Sequence, residues 1–199
     1  MKDKNSINKD FKVIVIDNYD SFTYNLVHII EEILGREIVV KRNDEVTLDE
    51  LDDYHKIILS PGPGIPDEAG LLKSIIERHG AKKDILGVCL GLQAIGEVYG
   101  CQLKNLDKVY HGISTSMYKT KISTPVLAGL KEEFQAGRYH SWVIDKNTIS
   151  GNLEITAEDA QGEIMAIQHT RHRVFGVQFH PESIMTPDGK KIIYNFLSL

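Results

Sequence analysis

Three short runs, Lys12 to Ile16, Lys56 to Ser60 and Asp84 to Val88, are dominated by consecutive aliphatic residues and are too short for helices. Continuous apolar runs of this length predict strands buried on both faces, the signature of a parallel sheet. Between them lie segments of helical spacing. Phe22 to Leu34 carries Leu26, Ile29, Ile30 and Ile33 on one stripe, with Ser21 or Asp20 as the expected N-cap and Gly35 as the stop. Glu37 to Lys41 reads as a further strand, Thr47-Leu48-Asp49-Glu50 as a capping box for a short helix, and Glu68 to His79 as a helix. This alternation predicts an α/β fold with a doubly wound, mostly parallel central sheet and helices on both faces. Ligands of such sheets bind where the strands end, at their carboxyl edge.

Beyond Gly100 the period shortens and helices become scarce. Gly112 to Lys121, Glu154 to Glu158 and Ile164 to His169 read as antiparallel or edge strands, and Val174 to Phe179 as a more apolar strand. A last helix is expected over Gly189 to Leu197. The C-terminal half therefore adds a smaller antiparallel or mixed sheet region. Residues 1–10 form a polar extension, and 11–199 a single domain, because no Pro-, Gly- or Ser-rich linker divides them.

Composition narrows the class of partner. With 199 residues, 42% hydrophobic, the chain can bury a sizeable core, and a net charge of −5 offers no basic stripe for nucleic acid. Cys89 and Cys101 form no C-x-x-C pair, which suits a reducing cytoplasm. The N-terminus lacks an apolar signal region and no run reaches membrane-spanning length, so a soluble, cytoplasmic protein is expected.

The strand at Asp84 stops at a cysteine between two glycines, Gly87-Val88-Cys89-Leu90-Gly91, and then turns helical. A sharp strand-to-helix turn leaves no room for Cβ atoms beside a nucleophile, so glycines flank it. A thiol at the start of a helix also meets unpaired N–H groups that favour its ionised form. The alternative is a cysteine that simply ends a core strand. Pro61-Gly62-Pro63-Gly64, at the end of another strand, can present backbone N–H groups from a stiff loop, or be an ordinary turn. His180, just past the strand at Val174, should emerge at the same edge as Cys89, with Glu182 placed to orient its ring. His140, in Gly137-Arg138-Tyr139-His140-Ser141-Trp142, is a rival base. His55 and His79 read as solvated positions, and His169 and His172 as flanking an exposed turn. Histidines and cysteines do not cluster at ligand spacing and no phosphate-binding glycine loop occurs, so neither a metal nor a cofactor is expected.

Taken in order, Pro61-Gly62-Pro63-Gly64, Gly87-x-Cys89-x-Gly91-x-Gln93 and His180-Pro181-Glu182 resemble the class I, or triad, glutamine amidotransferases. The stretches Asn18 to Leu26 and Gly137 to Ser141 are similar to the glutamine-using subunits of anthranilate synthase and aminodeoxychorismate synthase, and the likeness runs from about Phe11 to Leu199. The resemblance implies hydrolysis of L-glutamine to glutamate and ammonia, with the ammonia passed to a chorismate-binding synthase subunit. It implies Cys89 as nucleophile, His180 as base and then acid, and Glu182 as its orienter. Gly64 and the N–H of Leu90 would bind the oxyanion. Gln93, Ser141 and Trp142 would hold the amino acid end of glutamine, with Gly62, Pro63 and Gly64 lining the same pocket. Leu92 stands where the family often has His, and Trp142 where it often has Leu.

In magnitude, an ordinary cysteine is already roughly 3% ionised at pH 7, so complete ionisation gains at most about 30-fold. One oxyanion donor is worth ~10²–10³, so the Gly64 loop should matter as much as the base. Two other functions fit the same residues: a cysteine hydrolase of γ-glutamyl or peptide bonds that needs no partner, and a non-catalytic module in which Cys89 packs or senses oxidants.

Overall fold

The computed structural model describes residues 10–149 and 151–199, so the polar extension lies outside the described residues except for Asp10. The aliphatic runs form β1 (Val13–Asp17), β3 (Lys56–Leu59), β4 (Asp84–Val88) and β11 (Val174–Val177), nearly every residue of them buried. Beside β1 lies β2 (Val39–Arg42), half exposed at the sheet edge. The order β2-β1-β3-β4-β11 is parallel throughout. Its faces are covered by different helices. Helices α1 (Thr23–Leu34) and α4 (Gly189–Leu197) pack on one face around Leu26, Ile30, Ile193 and Phe196, and α2 (Leu72–His79) and α3 (Leu90–Val98) on the other around Ile75, Ile76 and Ile95.

The antiparallel region continues the same sheet. From β11 the order runs through β10 (Ile164–His169), β9 (Leu153–Asp159) and β6 (Ile113–Lys119) to β7 (Glu133–Arg138), which makes nine strands among the described residues. Each of these added pairs is antiparallel. A separate two-stranded antiparallel sheet joins β5 (Leu103–Asn105) to β8 (Trp142–Ile144). Among the described residues, no helix is long and apolar enough to cross a membrane.

Local chemistry shifts some boundaries. The helix expected over Glu68 to His79 is a 3-10 turn, Pro66–Glu68, followed by α2, with Gly70 in the left-handed region between them (φ 52°). The capping box forms, the Thr47 N–H donating to Glu50 at 2.9 Å and the Glu50 N–H to Thr47 Oγ1 at 3.3 Å, but it opens only a 3-10 turn. The N-cap of α1 is Phe22 rather than Ser21 or Asp20. Asp20 still serves the helix start, its carboxylate accepting the Phe22 N–H at 2.8 Å, while Asp17 accepts from the Thr23 hydroxyl at 2.8 Å.

The loops that leave β1, β2 and β3 are tied together at the carboxyl edge. The Asn18 amide donates to the Ser60 carbonyl at 2.8 Å, and Asn43 donates to the Asn18 side chain at 3.0 Å. These bonds hold the Pro61-Gly62-Pro63-Gly64 loop beside the end of β4.

Candidate active site

Cys89 is the single residue between β4 and α3, at φ 52° and ψ −99°. A side chain in the left-handed region costs on the order of 1–3 kcal/mol and persists only where its surroundings impose it. Here the imposition is visible. A Cβ on Gly87 would lie 2.4 Å from the Gly91 carbonyl carbon, and one on Gly91 would lie 2.7 Å from the Leu59 carbonyl oxygen. The bonds Cys89 N–H to Val177 O at 2.8 Å and Gln93 N–H to Cys89 O at 3.0 Å pin the elbow to β11 and to α3. Leu90, the first residue of α3, has an N–H that the helix itself leaves without a partner.

His180 reaches the same edge because β11 is parallel to β4 in register, Val177 opposite Val88. Its Nδ1 lies 2.6 Å from Glu182 Oε1, with both side chains buried. The rings of Tyr139 and Phe22, at 4.8 and 5.9 Å between centroids, fix the plane of the imidazole. Burial alone would lower its pKa, but the negative charge that the Cys89 sulfur and the Glu182 carboxylate offer the imidazolium outweighs that and raises it to about 10. Nε2 has no well-aligned hydrogen bond. The cysteine that perturbs it faces it in the looser arrangement common where no substrate is bound.

A cleft of about 250 Å³ opens over Cys89, lined by Gly62, Pro63, Gly64, Gln93, Tyr139, His140, Ser141 and Trp142. The expected glutamine-contacting residues are thus brought together in one place. Gly64 has φ +73°. A second cleft of about 520 Å³ shares Cys89, Gly62, Pro63 and Tyr139, and adds Tyr19, Asp20, Phe22, His111 and His180. The cysteine therefore stands on a common wall between two openings.

The rival histidine lines the first cleft but has both nitrogens engaged. Arg138 Nε donates to His140 Nε2 at 3.1 Å, and His140 Nδ1 lies 3.1 Å from the Trp142 carbonyl. Burial, and then the Arg138 charge, push its pKa down to about 3. Arg138 is itself buried, bonded to Asp159 at 2.7 Å and stacked over Tyr110.

Several readings need correction. His79 is not solvated: it is fully buried on α2, with Nε2 3.0 Å from the Leu48 carbonyl, because it falls on the helix stripe that faces the sheet. His169 is also buried, its Nδ1 accepting the N–H groups of Arg171 and His172 at 3.0 Å each. Leu92 packs in the core against Gly176 and does not reach the cleft, whereas Trp142 lines it. Gln178 was missed by sequence reasoning. Its amide lies 3.4 Å from Cys89 Sγ, and the available signal was its place just after β11 and two residues before His180.

Comparison with known proteins agrees with this geometry. A family model described as glutamine amidotransferase class-I matches residues 14–199. The chain is 43% identical to the aminodeoxychorismate/anthranilate synthase component 2 of Bacillus subtilis, over 93% of this chain and 95% of that one. It is 45% identical to the bifunctional protein TrpGD of Thermotoga maritima over 94% of this chain, and spans only 32% of that longer protein. A crystal structure of a Thermoplasma acidophilum protein described as a GMP synthase subunit superposes with a TM-score of 0.83 at 26% identity, covering 94% of this chain and 92% of that one. A match along nearly the whole length, and relatives this similar in sequence, make the chain a member of the class I glutamine amidotransferases.

Proposed function

We propose that the chain is the glutamine-hydrolysing subunit of a two-subunit synthase, converting L-glutamine to glutamate and ammonia and passing the ammonia to a chorismate-binding partner. The observation that carries this reading is the strained Cys89 on a wall shared by two clefts, facing a His180 already paired with Glu182. In the first cleft, Gln93 and the backbone of Ser141 and Trp142 hold the amino acid end of glutamine, opposite Gly62, Pro63 and Gly64.

Cys89 gives its proton to His180 Nε2, and the sulfur attacks the side-chain amide carbon of glutamine. The carbonyl oxygen takes the negative charge and accepts N–H bonds from Gly64 and Leu90. His180, held by Glu182, returns the proton to the amide nitrogen. The C–N bond breaks, ammonia leaves, and a γ-glutamyl thioester remains on Cys89. Water then attacks the thioester carbon and loses a proton to His180. That proton goes back to the sulfur as glutamate departs.

The second cleft, on the His180 side, gives the ammonia a separate way out. Its rim carries Tyr19, 50% exposed. An aromatic ring held in water at this mouth supports a docked protein. The Bacillus relative's name covers both aminodeoxychorismate and anthranilate synthase, which supports assigning the choice of product to the partner. The same reading takes 11–199 as one amidotransferase domain, supported by a sheet unbroken from β2 to β7. It places the protein in a reducing cytoplasm, supported by two cysteines without a disulfide.

The test is glutamine hydrolysis by the purified chain, alone and with the chorismate-binding subunit. A partner that aligns one oxyanion donor should raise turnover by ~10²–10³, and Tyr19→Ala should blunt that response. Full activity in the isolated chain, unmoved by the partner, would overturn the subunit reading in favour of a free-standing cysteine hydrolase.

A further inference from the structure

The fully buried carboxamide of Gln178 touches the nucleophile, and the chemistry above gives it no task. What it does depends on which end faces the sulfur. An N–H there favours the ionised thiol, whereas a carbonyl oxygen opposes it.

The orientation follows from groups that have no choice. Arg138 can only donate, so His140 Nε2, 3.1 Å from its Nε, must accept, and the ring proton must sit on Nδ1. Nδ1–H then donates to the Trp142 carbonyl at 3.1 Å. That carbonyl can only accept, and Gln93 approaches it at 3.0 Å, so the NH₂ end of Gln93 is the one turned inward. Its other hydrogen reaches the Gln178 side chain at 3.3 Å, where only Oε1 can receive it. Nε2 of Gln178 is left against Cys89 Sγ at 3.4 Å. Asp159, 2.7 Å from Arg138, anchors the far end of the chain of bonds.

We propose that Gln178 is a further catalytic residue, whose amide N–H steadies the Cys89 sulfur as a thiolate aimed into the glutamine cleft. The inference rests on Cys89 being the nucleophile. Gln93 sets the direction of that amide and simultaneously braces the Trp142 carbonyl on the substrate wall. Glutamine recognition and the state of the sulfur are thereby joined by side chains that need not move. At 3.4 Å the amide is within hydrogen-bond reach of the sulfur, and it meets the thiolate before attack carries the charge on to the carbonyl oxygen.

Gln178→Glu tests this, because it keeps the shape and the acceptor for Gln93 but sets a carboxylate oxygen against the sulfur. In the complex with the chorismate-binding subunit, kcat for glutamine hydrolysis should fall about 10- to 100-fold, the range of a lost charge-assisted hydrogen bond, with KM changed by less than about twofold. Alkylation of Cys89 by iodoacetamide at neutral pH should slow by a similar factor. Gln178→Met, which removes the donor without adding charge, should fall between the unchanged chain and the Glu variant. Co-elution with the partner subunit checks folding, and if the Glu variant fails there the Met variant carries the test with the same readouts. Rates of both reactions within twofold of the unchanged complex would overturn the proposal. So would a defect confined to KM, which would make Gln178 only a strut for the substrate wall. Glutamine hydrolysis that survives complete alkylation of Cys89 would be a different failure, because it removes the nucleophile itself.

Discussion

Two buried histidines bordering one cysteine are pushed in opposite directions, His180 up to about 10 and His140 down to about 3. Burial disfavours the charged form of both. What separates them is the neighbour: a sulfur and a carboxylate that can carry negative charge for His180, a guanidinium for His140. A proton delivered to His180 is therefore held, and one offered to His140 is refused. His180→Ala should lower kcat for glutamine by ~10²–10⁴, the range of a positioned acid–base group. His140→Ala should raise KM by roughly three- to tenfold, the scale of one lost neutral hydrogen bond at the Trp142 carbonyl. Steady-state glutamine hydrolysis by the complex checks both, and the reverse ranking would exchange their roles. The grouping of Cys89, His180 and Glu182 was legible in the sequence because Cys89 and His180 each follow a buried strand and Glu182 lies two residues from His180. Arg138 and Gln178 were not, because their partners Asp159 and Cys89 lie far from them in the chain.

At the scale of elements, the elbow exists because α3 approaches β3 and β4 more closely than side chains allow. Gly91→Ala would set a methyl 2.7 Å from the Leu59 carbonyl oxygen and 2.9 Å from its Cβ, groups fixed in a buried strand. Overpacking of this kind costs about 1–3 kcal/mol, so the midpoint of urea unfolding should fall measurably, together with glutamine turnover. An unchanged midpoint would mean that α3 is free to shift. Strands β1, β3, β4 and β11 announced themselves because both of their faces are covered. The strands β5, β7 and β8 did not. β7 mixes exposed Glu133 and Gln135 with Gly137 and a buried ion-paired Arg138, and β5 and β8 are only three residues each. The break before α2 was hidden for another reason: Glu68 and Leu72 keep helical spacing across a Gly70 that turns left-handed.

For the whole molecule, these pKa shifts predict a stability optimum near neutrality. Below about pH 6.5 the unfolded chain takes up a proton that folded His140 refuses until pH falls to about 3, so its share of stability is lost across that interval. His79 and His169, lowered chiefly by burial, act in the same sense. Folded His180 keeps its proton to about pH 10, so its contribution is complete below about 6.5 and is lost as pH rises through 10. Urea midpoints measured between pH 4 and pH 10 should peak between these limits, and His140→Gln should flatten the acid side; an acid limb identical in that variant would assign the loss to other groups. The central claim, that Cys89 supplies the partner with nitrogen, concerns the assembled complex and is tested most directly there. With Cys89→Ser in the complex with the chorismate-binding subunit, synthesis is measured once with glutamine and once with ammonium salt as the nitrogen source. The account predicts that the glutamine-dependent rate is abolished while the ammonia-dependent rate is kept; glutamine-dependent synthesis at near the normal rate would contradict it.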